Sequence, residues 1–142
     1  MIVLDGNLEA IIRTEGESAY PNECCGFLIG KIDDGGAKIA KEVKPIRNAS
    51  DDGEQYHRFL ITPEDMMEAE RIARAAKLDV IGFYHSHPDH PAAPSEYDKN
   101  HALPFYSYII LSVEKGEARN LTSWELTIDR IGFLREDILR DF

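Results

Sequence analysis

The sequence predicts an α/β or α+β sandwich around one mixed sheet, and three observations carry that expectation. Short apolar runs suited to buried strands alternate with segments of helical period. The turn signal Asp33-Asp34-Gly35-Gly36 joins two of those runs as a hairpin. At 142 residues, 43% hydrophobic and 30% charged, the chain has the length and composition of one soluble domain, expected to span 1–142.

Residues 7–19 read as a helix, with Leu8, Ile11 and Ile12 as its apolar stripe and Pro21 as its stop. The run 23–30 is a buried strand, and 37–45 is its returning partner. Residues 47–55 are polar and turn-rich and read as an exposed loop suited to gripping a partner. A strand is expected at 56–61. Thr62 then caps a helix with Pro63 at its first position and acids in its first turn. This helix runs to about 77, with Met66, Met67, Ala69, Ile72, Ala73 and Ala76 on its inner side. Residues 79–84 form a central strand that delivers His85 and His87 at its end. A proline-stiffened loop leads to Ser95, which caps a short helix to about 102. Strands follow at 106–113 and 120–128, with Tyr84 and Trp124 read as core, and 132–142 is a last element of undecided type.

Charge and cysteine usage narrow the function classes. A formal net charge of -10 argues against nucleic acid or an anionic membrane surface as partner. No apolar run approaches the roughly 20 residues of a membrane span. The start, Met1-Ile2-Val3-Leu4-Asp5, lacks the basic-then-apolar pattern of a signal peptide. Cys24 and Cys25 are adjacent and cannot form a disulfide framework, so a cytoplasmic setting is expected, with both thiols acting as small apolar residues.

The chemistry concentrates in one pattern, H-x-H-x7-S-x-x-D, formed by His85, His87, Ser95 and Asp98. On a strand, i and i+2 put both imidazoles on one face. At a helix start, i and i+3 put Ser95 and Asp98 together. Two nitrogens and a carboxylate make a three-ligand zinc site with a fourth position for water. Hydrolysis also needs a carboxylate that is not a ligand. Spacing leaves Glu23, Glu64 and Glu96 open for that role, with Glu23 favoured because it directly precedes an apolar strand. His57, His90 and His101 read as loop or surface histidines.

This pattern, with Pro21-x-Glu23-Cys24-Cys25-Gly26 and Tyr84-His85-Ser86-His87-Pro88-Asp89-His90-Pro91, resembles the JAMM (MPN+) metalloprotease family, especially its small prokaryotic single-domain members. The resemblance implies a cytidine-deaminase-like α/β sandwich with a mixed, curved sheet. It implies Zn2+ on His85, His87 and Asp98, with Glu23 deprotonating the zinc-bound water and Ser95 steadying the oxyanion. It also implies a peptidase or isopeptidase that cuts ubiquitin-like or sulfur-carrier proteins after their C-terminal diglycine. Two other readings compete. A non-catalytic module that only binds a ubiquitin-like protein has no need of the full residue set. A zinc deaminase expects H-x-E with P-C-x-x-C, whereas this chain has H-S-H and no C-x-x-C.

Overall fold

Alternation along two paired strands decides which side chains meet which helix. The structure is a computed structural model that describes residues 1–48 and 61–140. Among these, eight strands form one mixed sheet in the order β7-β6-β5-β4-β2-β3-β1-β8. They are β1 (Ile2–Val3), β2 (Cys25–Ile32), β3 (Lys38–Ile46), β4 (Asp79–Pro88), β5 (Ser107–Glu114), β6 (Glu117–Leu126), β7 (Phe133–Glu136) and β8 (Ile138–Leu139). The helices are α1 (Gly6–Ala19), α2 (Pro63–Ala75) and α3 (Glu96–His101).

On β2 and β4, Leu28 and Tyr84 join the larger apolar cluster, which includes Leu8 and Ile12 of α1. Phe27 and Phe83 point the other way, into a cluster with Ala69 of α2 and Tyr108 of β5. Tyr84 Oη donates to Glu15 of α1 at 2.5 Å, which ties that helix to the central strand. An irregularity in the β2–β4 pairing leaves Ile81 on the α1 side, and from Phe83 onward the odd-numbered residues of β4, His85 and His87 among them, face away from α1.

The edge strands β7 and β8 are separated in the chain by Asp137 alone. β7 pairs with β6, while β8 pairs with β1 at the opposite end of the strand order. The sheet must curl until its ends meet, as a barrel does. A buried polar network marks the closure. Lys38 Nζ of β3 bonds Ser107 Oγ at 2.9 Å and Glu125 at 2.8 Å, and Glu136 of β7 accepts from Ser107 Oγ at 2.6 Å and Ser123 Oγ at 2.8 Å. Buried charge of this kind is tolerable because each member has partners.

Several expectations change. Ile11 is 44% exposed and Met67 69%, so the apolar stripes of α1 and α2 are narrower than their spacing suggests. α1 buries the i, i+4 row Leu8, Ile12 and Gly16 and α2 buries Ala69 and Ala73, which leaves Ile11 and Met67 off the buried row. α2 ends at Ala75, and Lys77 follows with a positive φ of 60°. β4 continues through His85 to Pro88, because β5 runs parallel beside it and pairs up to Val113. Strand β1 was not foreseen, and the undecided C-terminal stretch supplies β7 and β8. Trp124 is half-buried rather than core. The strand expected at 56–61, and the 47–55 loop beyond Asn48, lie outside the described residues apart from Ile61, as does His57.

Gly82 lies where β4 meets the start of β5, and a Cβ there would come within 2.3 Å of the Ser107 carbonyl oxygen. Backbone cannot yield as a side-chain tip can. Gly82→Ala is expected to destabilise the protein by about 2–3 kcal/mol in urea unfolding; a loss under ~0.5 kcal/mol would show that the two strands can separate cheaply.

Candidate metal centre

The site is assembled by pairing between distant segments. β2 and β4 run antiparallel with Cys25 opposite His85. One residue beyond that pair, Cys24 N–H donates to Ser86 Oγ at 2.8 Å, and Ser86 N–H donates to the Cys24 carbonyl at 3.1 Å. Ser86 lies between the two histidines and points to the opposite face, where it clamps the residue next to Glu23. The carbonyl of Glu23 also accepts from buried Asn48 Nδ2 at 3.2 Å. Glu23 is thus carried to the histidine face, and its carboxylate forms with His85 and His87 a buried set whose donor atoms lie within 4.8 Å of one another.

Asp98 approaches from α3. His85 Nε2 and His87 Nε2 are 3.1 Å apart, and Asp98 stands 3.2 Å from each, through Oδ1 to His85 and Oδ2 to His87. A tetrahedron with bonds of ~2.0–2.1 Å has edges of about 3.3–3.4 Å. The two nitrogens stand close to such an edge and the carboxylate turns one oxygen toward each, so the donor chemistry suits one small cation. The four groups Glu23, His85, His87 and Asp98 are all buried.

The surroundings fix the donors. His87 Nδ1 pairs with the Pro91 carbonyl at 2.9 Å, which sets the ring so that Nε2 turns inward. Ser95 and Asp98 form a reciprocal capping box at the start of α3. Asp98 N–H donates to Ser95 Oγ at 3.1 Å, and Ser95 N–H donates to Asp98 Oδ2 at 2.9 Å. Ser95 itself is exposed at the cleft. Burial pushes the Asp98 carboxyl up, but the two imidazoles and the Ser95 N–H outweigh it and hold the group well below the usual carboxylate range. Burial pulls His85 down, and it dominates there. At His87 burial also pulls down, but Asp98 and the Pro91 carbonyl win and the ring is pushed up. Imidazole nitrogens beside an ionised carboxylate are a donor set whose chemistry suits a cation.

Two hollows meet at the centre, and both are lined by Tyr97 and Asp98. The first, about 270 Å³, is largely apolar and includes His85, Met66, Phe83, Leu103 and Tyr108. The second, about 310 Å³, is richer in polar side chains and includes Glu23, His87, His90 and Ser95. His90 and His101 are exposed, as expected, and each borders one hollow; His101 stacks on Tyr97 with centroids 4.0 Å apart. Cys24 and Cys25 are buried, and burial pushes the Cys24 thiol up to about 12, so neither provides a thiolate. Glu64 lies in the first turn of α2 and Glu96 in that of α3; neither belongs to the Glu23, His85, His87 donor set.

Sequence reasoning missed the clamp residues Ser86 and Asn48. For Ser86 the signal was available, since a residue between two same-face histidines must face the other way. For Asn48, far from the pattern and in a polar stretch, no sequence signal existed.

Residues 6–127 match the family described as prokaryotic homologs of the JAB domain. The chain belongs to that family. A desampylase of Haloferax volcanii is 33% identical over 93 residues, 65% of this chain and 63% of that protein, so the match spans less than two thirds of that relative. A desampylase of Pyrococcus furiosus is 31% identical over 117 residues, 82% of this chain and 76% of that protein. A solution structure of a Salinibacter ruber protein is 39% identical, covers 99% of this chain and 92% of its own, and has a TM-score of 0.77. The crystal structure of a JAB1/MPN domain protein from Archaeoglobus fulgidus, 20% identical, covers 99% of this chain and all of its own with a TM-score of 0.57. It shares the mixed, curved sheet with few flanking helices, which is the fold expected from the sequence.

Removing the clamp should be felt in folding stability. Ser86→Ala leaves the buried Cys24 N–H without its side-chain acceptor and is expected to cost about 1–3 kcal/mol. Chemical denaturation measures this, and an unchanged midpoint would show that the clamp is dispensable.

Proposed function

We propose that the chain is a zinc-dependent peptidase or isopeptidase that cuts after the C-terminal diglycine of a ubiquitin-like or sulfur-carrier protein. The observation that carries this reading is the placement of two carboxylates around one imidazole pair. Asp98 sits 3.2 Å from both Nε2 atoms, and the Glu23 carboxylate joins the same imidazoles in a set whose donor atoms all lie within 4.8 Å of one another. Both carboxylates are near enough to the imidazoles for one to share a cation and the other to serve what binds beside it.

In this reading His85, His87 and Asp98 hold zinc. When bound, zinc supplies Lewis acidity and lowers the pKa of a water to about 7. Glu23 accepts a proton from the attacking water and passes it to the nitrogen that leaves as the C–N bond breaks. The Ser95 hydroxyl, whose oxygen already accepts from Asp98 N–H, retains its proton to donate to the carbonyl oxygen as that atom gains charge. The Pro91 carbonyl holds His87 in the tautomer that this arrangement needs.

The shape of the site supports the substrate class. Tyr97 and Asp98 form a wall shared by the apolar and polar hollows. Two glycines carry no side chain past that wall, and an apolar residue preceding them has a hollow of about 270 Å³ to enter. Membership of the prokaryotic JAB-domain family and two relatives named desampylases support a hydrolase of protein conjugates.

The test is incubation with a ubiquitin-like protein fused through its diglycine to a second protein, read by intact mass. Cleavage directly after the diglycine is expected, stopped by a chelator and restored by zinc. Glu23→Gln should retain the metal and lose on the order of 10²–10⁴-fold in rate. Cleavage that survives chelation, or a Glu23→Gln variant within a few-fold of the parent, contradicts the mechanism.

A further inference from the structure

The 91–93 segment has two sides. Pro91 and Ala93 line the polar catalytic hollow, and both also line a separate hollow of about 590 Å³ on its other flank. That second hollow takes Arg13 from α1, Arg119 from β6, Arg135 from β7 and Arg140 from the chain beyond β8. Among the described residues no carboxylate lines it, although the whole chain carries a formal net charge of -10.

The arginines are organised rather than scattered. Glu9, beneath them, accepts from Arg13 Nε at 2.9 Å and Arg140 Nε at 2.7 Å, which fixes both side chains. Arg13 Nη1 also donates to the Arg119 carbonyl at 2.6 Å, linking α1 to β6. Arg119 pairs at 2.6 Å with Glu117, which like Glu114 at 4.0 Å offsets part of the charge. Arg135 lies over the ring of Trp124, 5.5 Å from its centroid. Trp124 is held at its edge by a 2.8 Å hydrogen bond from Nε1 to Thr122 Oγ1 and leaves a face at the hollow. Arginine and tryptophan are the side chains that dominate binding at protein interfaces, and a guanidinium fork matches a carboxylate in two bonds.

We propose that this arginine-lined hollow docks an acidic segment of the protein that the catalytic site cuts, holding it beside the polar cleft. The word "cuts" rests on the peptidase reading above; the docking itself does not. Charge selects the occupant. A long polyanion that extended past the hollow would meet the acidic remainder of the surface. A short acidic stretch of polypeptide would meet four arginines whose charge the three carboxylates of Glu9, Glu114 and Glu117 offset only in part.

Trp124 is the sole tryptophan, so its fluorescence reports on this hollow. The intact protein is titrated with a synthetic oligoglutamate peptide, an oligoglutamine of the same length and a single-stranded RNA oligonucleotide. Saturable change with oligoglutamate at low salt, weakening as salt rises, is expected, with none for oligoglutamine. The double variant Arg119→Glu/Arg135→Glu should bind oligoglutamate on the order of tenfold more weakly or worse. Arg71→Glu, on the exposed face of α2, should bind as the parent does. Both substituted positions in the double variant are exposed, and its unfolding midpoint should match the parent; Arg135→Gln alone gives a milder second variant with a smaller loss.

A second arm uses conjugates with and without an acidic segment near the cut. The segment should lower KM about tenfold for the parent, leave kcat unchanged, and give no advantage in the double variant. Absence of saturable oligoglutamate binding, equal binding of oligoglutamine, tighter binding of RNA, or an unaffected double variant each overturns the proposal. Oligoglutamate binding with no conjugate cleaved overturns the peptidase reading and leaves the docking surface standing. Cleavage without oligoglutamate binding does the reverse.

Discussion

Two hydrogen bonds between Ser86 and Cys24 hold the centre together. They join segments 62 residues apart in the chain, and one runs through a buried side chain. With Cys25 opposite His85 in the ladder, they bring the residue before Cys24 to the histidine face. Without that pairing the two imidazoles would still share a face of β4, but Glu23 would have no fixed relation to them. Burial makes the clamp stringent, because a backbone N–H in this place has no water to fall back on. Everything proposed for the site needs the distance that this pairing sets.

The rest of the fold supplies opposing walls. The sheet closes on itself through Asp137, and the Lys38, Ser107 and Glu136 network fills the seam. β4 can then run as a fully flanked strand, with β2 on one side and β5 on the other. That flanking extends the strand past the histidines and keeps their rings from wandering. Asp98 is held by the helix it caps, so the same carboxylate ends a helix and faces two imidazoles. A group with two jobs of this kind is hard to replace, since any substitute must satisfy both the backbone and the nitrogens.

Local signals were legible wherever one residue decides a geometry. Thr62 and Pro63 announce the start of α2, and Ser95 with Asp98 announce that of α3. The i, i+2 spacing of His85 and His87 already implied a common face. Gly26, after the two cysteines, has a reason only the structure reveals: a Cβ there would lie 2.3 Å from the Tyr84 ring. What spacing could not decide was which glutamate joins the site, because that depends on strand register between distant segments. Exposure of Ile11 and Met67 depends on which i, i+4 row of each helix meets the sheet, and barrel closure depends on two short strands with weak individual signals. Trp124 shows the same limit. A large apolar residue on a strand reads as core, yet here its neighbour across the sheet is Arg135 and its face borders a cleft.

The surface around the centre is divided by chemistry: an apolar hollow toward α2, a polar one beside Glu23, and arginines beyond the 91–93 segment. The two hollows beside the centre acquire a catalytic meaning only if the imidazole pair and Asp98 grip a cation. Zinc K-edge X-ray absorption on protein loaded with one equivalent of metal tests that most directly. The account predicts nitrogen and oxygen scatterers alone at about 2.0–2.1 Å, with the multiple-scattering pattern of imidazole. A sulfur shell near ~2.3 Å, or a protein that takes up no zinc, would contradict it.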